Sequence, residues 1–401
     1  SLMPVTQQFL LDQRVGVQAM YRDLTRQVPG AEVPPVALVQ IDEASIRRDE
    51  RIAEPEPINR TYLASLIDHL TQQNASLIGI DYLLDRRIGS ESALQKALQK
   101  AVSQQQTWFV FGTLFNQFDA EGIFTAEESG VAQRTWSMQG YVSVLPAYMT
   151  LPYPDENCQV TCPFGYLLAL IQSAKQASIK DLPQPALNNQ RDLRTQFVAR
   201  FGADDLQNPS VNALQQAHLS PLSAWAYENL GIVWLDPLID YSIPPDRIYD
   251  RIAAWRVIEH SVDAARLNNQ VVLIGGGEYI DGEMDDQYPL PAAIRYWRDR
   301  LPEDNNAARF PAGKVVNTPT YLPKLTGAEI HAYIVHHLLT QRLVIPIPDL
   351  WLLGLAAIIG KTTTSIQRTR QQKKLLFSLM GLTAGYGLIS LQLYISASIL
   401  L

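Results

Sequence analysis

Two aspartates follow segments that have the pattern of buried strands, and they are the first candidates for chemistry. Asp42 follows Val36–Ile41, and Asp81 follows Ser76–Ile80. Ligands of open α/β sheets bind at the carboxyl ends of the strands, so we expect both carboxylates to border one crevice. Paired carboxylates could bind a cation or an amine, or perform acid–base catalysis. The alternative is that they cap helices and accept hydrogen bonds from loop amides.

Other polar groups near these strand ends complete the predicted ligand site, namely Glu43, Ser45 and Asp85, with Gly275 and Gly276 after a third strand. No nucleophile–base pair accompanies the carboxylates, so we expect no catalytic residue. The local charge is negative, which favours a neutral polar, amine-bearing or divalent-cation ligand over a phosphorylated one. We expect no cofactor, although a divalent cation is compatible with the site, and the identity of such a metal is open.

The glycine run Gly275–Gly277 could cradle an anion through its backbone amides. Acidic residues follow it closely, however: Glu278, Asp281, Glu283, Asp285 and Asp286. This cluster suits Ca²⁺ or a solvated loop, and it lacks the residue order of an EF-hand loop. A solvated loop is the favoured interpretation.

Cysteine and histidine residues offer two further possibilities for chemistry. Cys158 and Cys162 are the two cysteines of the chain, and a local disulfide is expected if they lie on the oxidising side of a membrane. His331, His336 and His337 share one predicted helix. Offsets of five and six residues do not place two metal ligands on one helix face, so we interpret them as ordinary helix histidines.

The segments that carry these residues alternate between strand and helix. After Val36–Ile41 comes a helical apolar stripe over Ile58–Gln73, then the strand Ser76–Ile80, a helix over Ala93–Val102 and a strand at Trp108–Phe111. This order predicts an α/β fold with a parallel sheet. A strand at Val271–Ile274 and a helix over Ala328–Leu339 follow, the helix opened by a Thr326–Glu329 capping box. Residues 141–269 give no clear prediction.

Charge divides the chain near residue 349. It has 401 residues, with 40 Asp and Glu against 33 Lys and Arg. Residues 350–401 contain five cations and no acidic residue. Residues 1–349 therefore carry 28 cations and 40 acidic residues, which is a formal net charge of −12. Such an acidic surface argues against nucleic-acid binding.

The C-terminal part predicts two transmembrane helices, over residues 350–366 and 375–401. The second comprises 27 uncharged residues, and roughly 20 are enough to cross a bilayer. The cation-rich loop 367–374 between them is expected to be cytoplasmic, which places residues 1–349 outside the cytoplasm. Residues 1–30 then form an N-terminal helix, and residues 31–349 form the extracytoplasmic domain. No export signal is visible, so we expect a further segment before Ser1.

These segments together resemble the type-two CHASE domain, an extracytoplasmic sensor family of bacteria, including cyanobacteria. The resemblance is carried by Val36–Ile46, by Asn59–Arg60 opening a helix, by Ile78–Asp81, by Val271–Gly275 and by Gly327–Ala332. It implies a ligand sensor of the periplasm or cell exterior, often fused to cyclases or kinases. The chain departs from the family pattern at Leu151–Cys162 and in an insert at about Tyr288–Pro323.

We therefore predict a membrane-anchored extracytoplasmic sensor domain for signal transduction, without catalytic activity of its own and located in an inner or thylakoid membrane. The first alternative is a structural or assembly subunit of a membrane complex. The insert, with Tyr288, Tyr296, Trp297, Phe310 and Tyr321, would then be a contact surface rather than part of the core. The second alternative is a periplasmic hydrolase using Asp42 and Asp81. Expected partners are the lipid bilayer, a further copy of the chain or a membrane complex, and an unknown small ligand, but not nucleic acid.

Overall fold

Six parallel strands form a sheet among the residues that a computed structural model of the chain describes. They are β1 (Val36–Ile41), β2 (Leu77–Asp81), β3 (Trp108–Thr113), β4 (Met138–Tyr141), β5 (Tyr249–Ala253) and β6 (Val271–Gly276). Their order is β4–β3–β2–β6–β1–β5. The structure describes residues 3–29, 33–54, 57–84, 91–114, 131–153, 158, 162–201, 209–222, 225, 229, 236–259, 262, 267, 269–277, 286–300, 324–346, 361, 372–397 and 399–400.

Helices cover both faces of this sheet. In chain order they are α1 (Met3–Thr25), α2 (Glu43–Arg48), α3 (Arg60–Gln72), α4 (Glu91–Gln105), α5 (Phe164–Gln176), α6 (Leu193–Phe201), α7 (Pro209–Gln215), α8 (Pro245–Ile248), α9 (Ala254–Ile258), α10 (Ala292–Arg298), α11 (Gly327–Leu339) and α12 (Gln372–Ala397). Successive strand residues point to opposite faces. Val36 and Leu38 of β1 accordingly join the core under α5 and α11, whereas Val39 and Ile41 join the core under α3 and α4.

The predicted α/β fold with a parallel sheet is confirmed. The apolar runs that predicted β1, β2, β3 and β6 form strands within two residues of the expected bounds. The predicted capping box is also present: the Thr326 side chain accepts from the Glu329 backbone N–H, and the Glu329 side chain accepts from that of Thr326. Asn59 is the N-cap of α3, and its side chain accepts hydrogen bonds from two backbone N–H groups.

Helix α11, which we call the closing helix, lies almost wholly inside the protein. Residues Gly327–Leu338 are all buried, and the helix contacts α5, β1 and β6. A helix buried on every side must hold its polar side chains in internal contacts, because water cannot satisfy them. Glu329, His331, His336 and His337 are therefore constrained by partners elsewhere in the chain.

The interpretation of the insert as a surface outside the core was wrong for its first part. Helix α10 buries Ile294 and Trp297, which are 1% and 5% exposed and belong to the main core. The helix packs along α1, where the Ala292 backbone N–H donates to Asp12. Apolar side chains thus fix this segment to the N-terminal helix. A short antiparallel pair, β7 (Gln287–Pro289) with β8 (Lys324–Thr326), flanks it, and residues 301–323 lie outside the described residues.

The structure gives no support to the predicted membrane spans. In the described part of the chain, no helix combines the length and apolar character that a bilayer crossing needs. Residues 350–366, apart from Lys361, lie outside that part. The last turns of α12 contact the domain instead: Gln18 donates to the Leu391 carbonyl (2.8 Å), and Tyr394 donates to Asp240 (2.8 Å). Beyond α12, Ile399–Leu400 (β10) pairs with Ile345–Pro346 (β9).

Candidate functional site

Asp42, at the end of β1, serves as the N-cap of α2. Its Oδ1 atom accepts hydrogen bonds from the Ser45 backbone N–H (2.8 Å) and the Ser45 hydroxyl (2.7 Å). Glu43 pairs with Arg47 on the next turn at 2.9 Å. The helix-cap alternative therefore accounts for the hydrogen bonds between Asp42 and Ser45, and the Ser45 hydroxyl also accepts from the Trp255 backbone N–H at 3.3 Å. Gly277 passes close to this cap, since a Cβ atom there would lie 2.8 Å from the Asp42 Cα.

Asp81, at the end of β2, lies in a different environment. Its side chain is 5% exposed, and the Nε2 atom of His331 lies 3.9 Å from its Oδ1 atom. That separation is too long for a hydrogen bond. Gly275 lies opposite Asp81 in the sheet, and a Cβ atom at Gly275 would overlap Ala328 of the closing helix. The glycine thus lets the closing helix rest on the strand end and cover Asp81.

The surroundings of Asp81 favour its uncharged form. Burial raises the pKa of its carboxyl group well above the usual range, and the nearby charge of Asp286 adds to the shift. Burial also lowers the pKa of His331 to about 4, so this imidazole is neutral at neutral pH and brings no positive charge to Asp81. A buried carboxyl group without a hydrogen bond calls for an explanation, such as a bound proton or a ligand.

Asp286 completes this group at the start of the closing helix. Its backbone carbonyl accepts from the Gly327 N–H at 3.1 Å, and a Cβ atom at Gly327 would overlap its carboxylate. Tyr288 shares a side-chain hydrogen bond with Asp286. The structure therefore brings together Asp81, Asp286 and Gly275.

The other predicted site residues stand apart from that group or are not described. Strand β6 lies between β1 and β2, so the strand end at Asp42 is about 10 Å away across the sheet. Gly276 ends β6 between the two, whereas Asp85 and residues 278–285 lie outside the described residues. Within the described ranges, no group of three or more His, Cys, Asp or Glu side chains is placed to hold a metal ion.

Sequence reasoning missed an ion cluster at Glu329. This carboxylate is 1% exposed and contacts Arg251, Arg298 (3.2 Å) and the Tyr249 hydroxyl (2.8 Å). Burial opposes its ionisation, but the two guanidinium groups outweigh that effect and lower its pKa. The capping box identified Glu329, whereas nothing local in the sequence identified its arginine partners.

A second missed cluster surrounds Asp240, which is fully buried. Its carboxylate accepts from Arg22 of α1 (3.1 Å), Arg342 (2.8 Å) and Tyr394 of α12 (2.8 Å). Burial opposes its ionisation, but Arg22 and Arg342 outweigh that effect and lower the pKa of Asp240. The Asp240 backbone N–H donates to His337 Nε2 at 3.0 Å. This network, here called the Asp240 cluster, joins the N-terminal, closing and C-terminal helices.

The predicted disulfide between Cys158 and Cys162 is present, and both cysteines are buried. A cavity of about 300 Å³ also lies between α1 and the loops around residues 146, 239 and 290. The sequence did not indicate it, because its walls come from four distant segments.

Comparison with known proteins gives one match. The family model described as the CHASE2 domain matches residues 4–366 of the chain. No curated protein and no solved structure matches it.

Proposed function

Since the chain belongs to the CHASE2 domain family, which is a family of extracytoplasmic sensor domains, we propose that it is the ligand-sensing part of a membrane-anchored signalling protein and has no catalytic activity of its own. The family match carries this proposal, because it extends over residues 4–366. The Cys158–Cys162 disulfide is consistent with an oxidising compartment.

The contacts of the two buried ion clusters support a non-catalytic role. Both Glu329 and Asp240 are held by two arginines each, so neither carboxylate is free to accept a proton from a substrate. They are instead the kind of internal charge pairs that fix the arrangement of elements. Of the two carboxylates that the hydrolase alternative would use, Asp42 caps helix α2 and Asp81 is covered by the closing helix.

Anchoring through residues 350–366 and 375–401 is part of the proposal and rests on the sequence. With the cationic loop 367–374 in the cytoplasm, a helix starting there would reach the extracytoplasmic side at its C-terminal end. That is the end at which Leu391, Gln392 and Tyr394 contact the domain. The direction of α12 in the structure is therefore compatible with the proposed topology.

The proposed ligand site is the covered strand end at Asp81 and Gly275. Its support is a carboxyl group that is buried and makes no hydrogen bond within the described structure. A divalent cation, an amine or a neutral polar ligand would supply the missing partner. A role for Asp42, Glu43 and Ser45 in ligand binding stays a prediction, because Asp42 and Ser45 bond to each other in a helix cap and Glu43 pairs with Arg47.

A thermal-shift screen of the full chain against divalent cations, amines, sugars and nucleotides tests this site. A ligand of the first three classes should raise the melting temperature, and Asp81→Asn should abolish the rise while the variant stays folded. The matched control is Glu259→Gln, which changes an exposed carboxylate paired with Arg48. Stabilisation by nucleotides alone, or an unchanged response of Asp81→Asn, would contradict the proposal.

The alternative of a docking subunit is favoured by one observation. Helix α1 exposes three apolar side chains on one face, with Val17 51%, Met20 53% and Leu24 83% exposed. Spacings of three and four residues are those of a helix-packing stripe. If this stripe joins copies of the chain, Met20→Glu with Leu24→Glu should lower the mass measured by light scattering in detergent, whereas Gln104→Glu with Gln105→Glu, at exposed positions of α4, should not. An unchanged mass would argue against a homo-oligomer formed through α1.

A further inference from the structure

The cavity beside α1 is lined mostly by apolar side chains, and Asp12 and Tyr241 are its polar lining residues. Leu11 and Val15 of α1 form one wall, and Leu238, Ile239 and Leu290 face them. Its volume of about 300 Å³ is at the lower end of the range for small-molecule sites. At roughly 30 Å³ per water-sized group, it would hold a ligand with about ten non-hydrogen atoms. The walls would bury a hydrocarbon body of that size.

Asp12 places a carboxylate at the edge of this apolar space. Its Oδ1 atom accepts a hydrogen bond from the Ala292 backbone N–H at 2.8 Å, and no other group among the described residues donates to this carboxylate. None of the ion pairs among the described residues involves Asp12. The second oxygen is therefore open to a donor that enters the cavity. The other polar side chain of the lining, Tyr241, donates its hydroxyl to the Pro146 carbonyl.

We propose that this cavity binds a small amphipathic amine, with its hydrocarbon body between α1 and the facing loops and its ammonium group on Asp12. A cationic donor is favoured over a neutral one, because hydrogen bonds between charged groups are roughly twice as strong. An anionic amphiphile is disfavoured, since Asp12 would repel it. The biological meaning of this binding rests on the proposed sensor function, but the site is separate from Asp81.

Binding at this position would act on the elements that join the N- and C-terminal helices. Leu238, Ile239 and Tyr241 line the cavity, and Asp240 in the same segment holds Arg22 of α1. A ligand would therefore contact α1 directly and also the segment to which α1 is tied.

Calorimetric titration of the full chain with n-octylamine, 1-octanol and octanoate at neutral pH tests the proposal. Octylamine should bind about tenfold tighter than octanol, which is the difference expected for one charge-assisted hydrogen bond. Octanoate should bind more weakly than either. Asp12→Asn, which keeps an oxygen for the Ala292 N–H, should remove the preference for the amine and leave octanol binding unchanged.

Two kinds of control locate the binding. Ala147→Phe places a ring in the cavity and should abolish binding of both ligands; Val15→Met is a smaller filling substitution to use if the phenylalanine variant does not fold. Asp23→Asn changes a carboxylate on the same helix that accepts from Tyr296, and it should keep the preference for the amine. Asp81→Asn should keep it as well.

Several results would overturn the proposal. They are equal affinities of the unaltered chain for octylamine and octanol, no binding of either, or an amine preference that survives Asp12→Asn. Loss of amine binding in Asp81→Asn with retention in Asp12→Asn would assign the amine to the strand-end site instead. Failure of the cavity proposal would leave the test of Asp81 unaffected, since the two use different variants.

Discussion

The carboxyl group of Asp81 ends a strand beneath the closing helix, in surroundings that oppose its ionisation. Such a group contributes most to the stability of the folded state when the pH is below its pKa in the unfolded chain, because it is then protonated. The stabilisation is lost as the pH rises through the elevated pKa of the folded state. At neutral pH the unliganded domain therefore carries a local destabilisation at this site.

Asp81→Asn should consequently be more stable than the unaltered chain at pH 7, because it lacks the charge that burial and the neighbouring Asp286 disfavour. The gain should shrink as the pH falls and vanish near about pH 2.5, where the aspartate is protonated in both states. Urea unfolding at the two pH values measures it. The exposed variant Glu259→Gln should change stability by less than about 0.5 kcal/mol at either pH. Loss of stability at pH 7 in Asp81→Asn would mean that an ionised Asp81 is well accommodated.

At the residue scale, a contact could be predicted from the sequence only where its two partners lie close together in the chain. The cap formed by Asp42 uses Ser45, three residues away, and the sequence already offered that interpretation as an alternative. The partners of Asp240 are 218 and 102 residues away, at Arg22 and Arg342. No periodicity or motif reports a contact of that separation.

Among the elements, three helices meet at the Asp240 cluster. Arg22 belongs to α1, Tyr394 belongs to α12, and His337 of the closing helix accepts from the Asp240 backbone. Removing one partner of a buried ion pair leaves the other charge uncompensated. This lowers the stability of the fold more than replacing the whole pair with apolar residues does.

We expect Asp240→Asn to lower the free energy of unfolding by about 3 kcal/mol, because the buried Arg22 guanidinium loses its counter-charge. Urea denaturation measures the loss. The control Asp246→Asn changes a nearby, half-exposed carboxylate that lies 3.8 Å from Arg247, and it should cost less than about 1 kcal/mol. A loss below about 1 kcal/mol in Asp240→Asn would show that the cluster contributes little to holding the helices together.

The helices could be predicted from the sequence where only one face is buried or where a capping residue marks the start of the helix. Helix α3 shows an apolar stripe and an asparagine cap, and the closing helix has its capping box. Helix α5 has no such pattern, because Phe164–Ala174 are buried on all sides. A uniformly apolar helix and a buried strand look alike in sequence, so the apolar run of α5 gave no prediction.

At the scale of the whole molecule, the proposed topology places Asn305 outside the cytoplasm and Gln371 inside it. A single cysteine introduced as Gln371→Cys should resist a membrane-impermeant thiol reagent in intact cells, whereas Asn305→Cys should react. The native cysteines are bonded to each other and should not interfere. Permeabilised cells provide the control, since both variants should then be labelled. Equal labelling in intact cells would refute the orientation.

The position of β6 has a consequence for how the molecule is made. This strand lies between β1 and β2, yet it follows β2 by 190 residues in the chain, from Asp81 to Val271. Until the ribosome has produced β6, β1 and β2 each lack the neighbour that completes the sheet, and their edges stay open to other chains. The N-terminal half therefore cannot fold as an independent unit during synthesis and export. It must be kept from pairing with other chains until β6 has been synthesised. A chain that stops before residue 271 should therefore be a substrate for proteolysis and chaperones rather than a smaller folded domain.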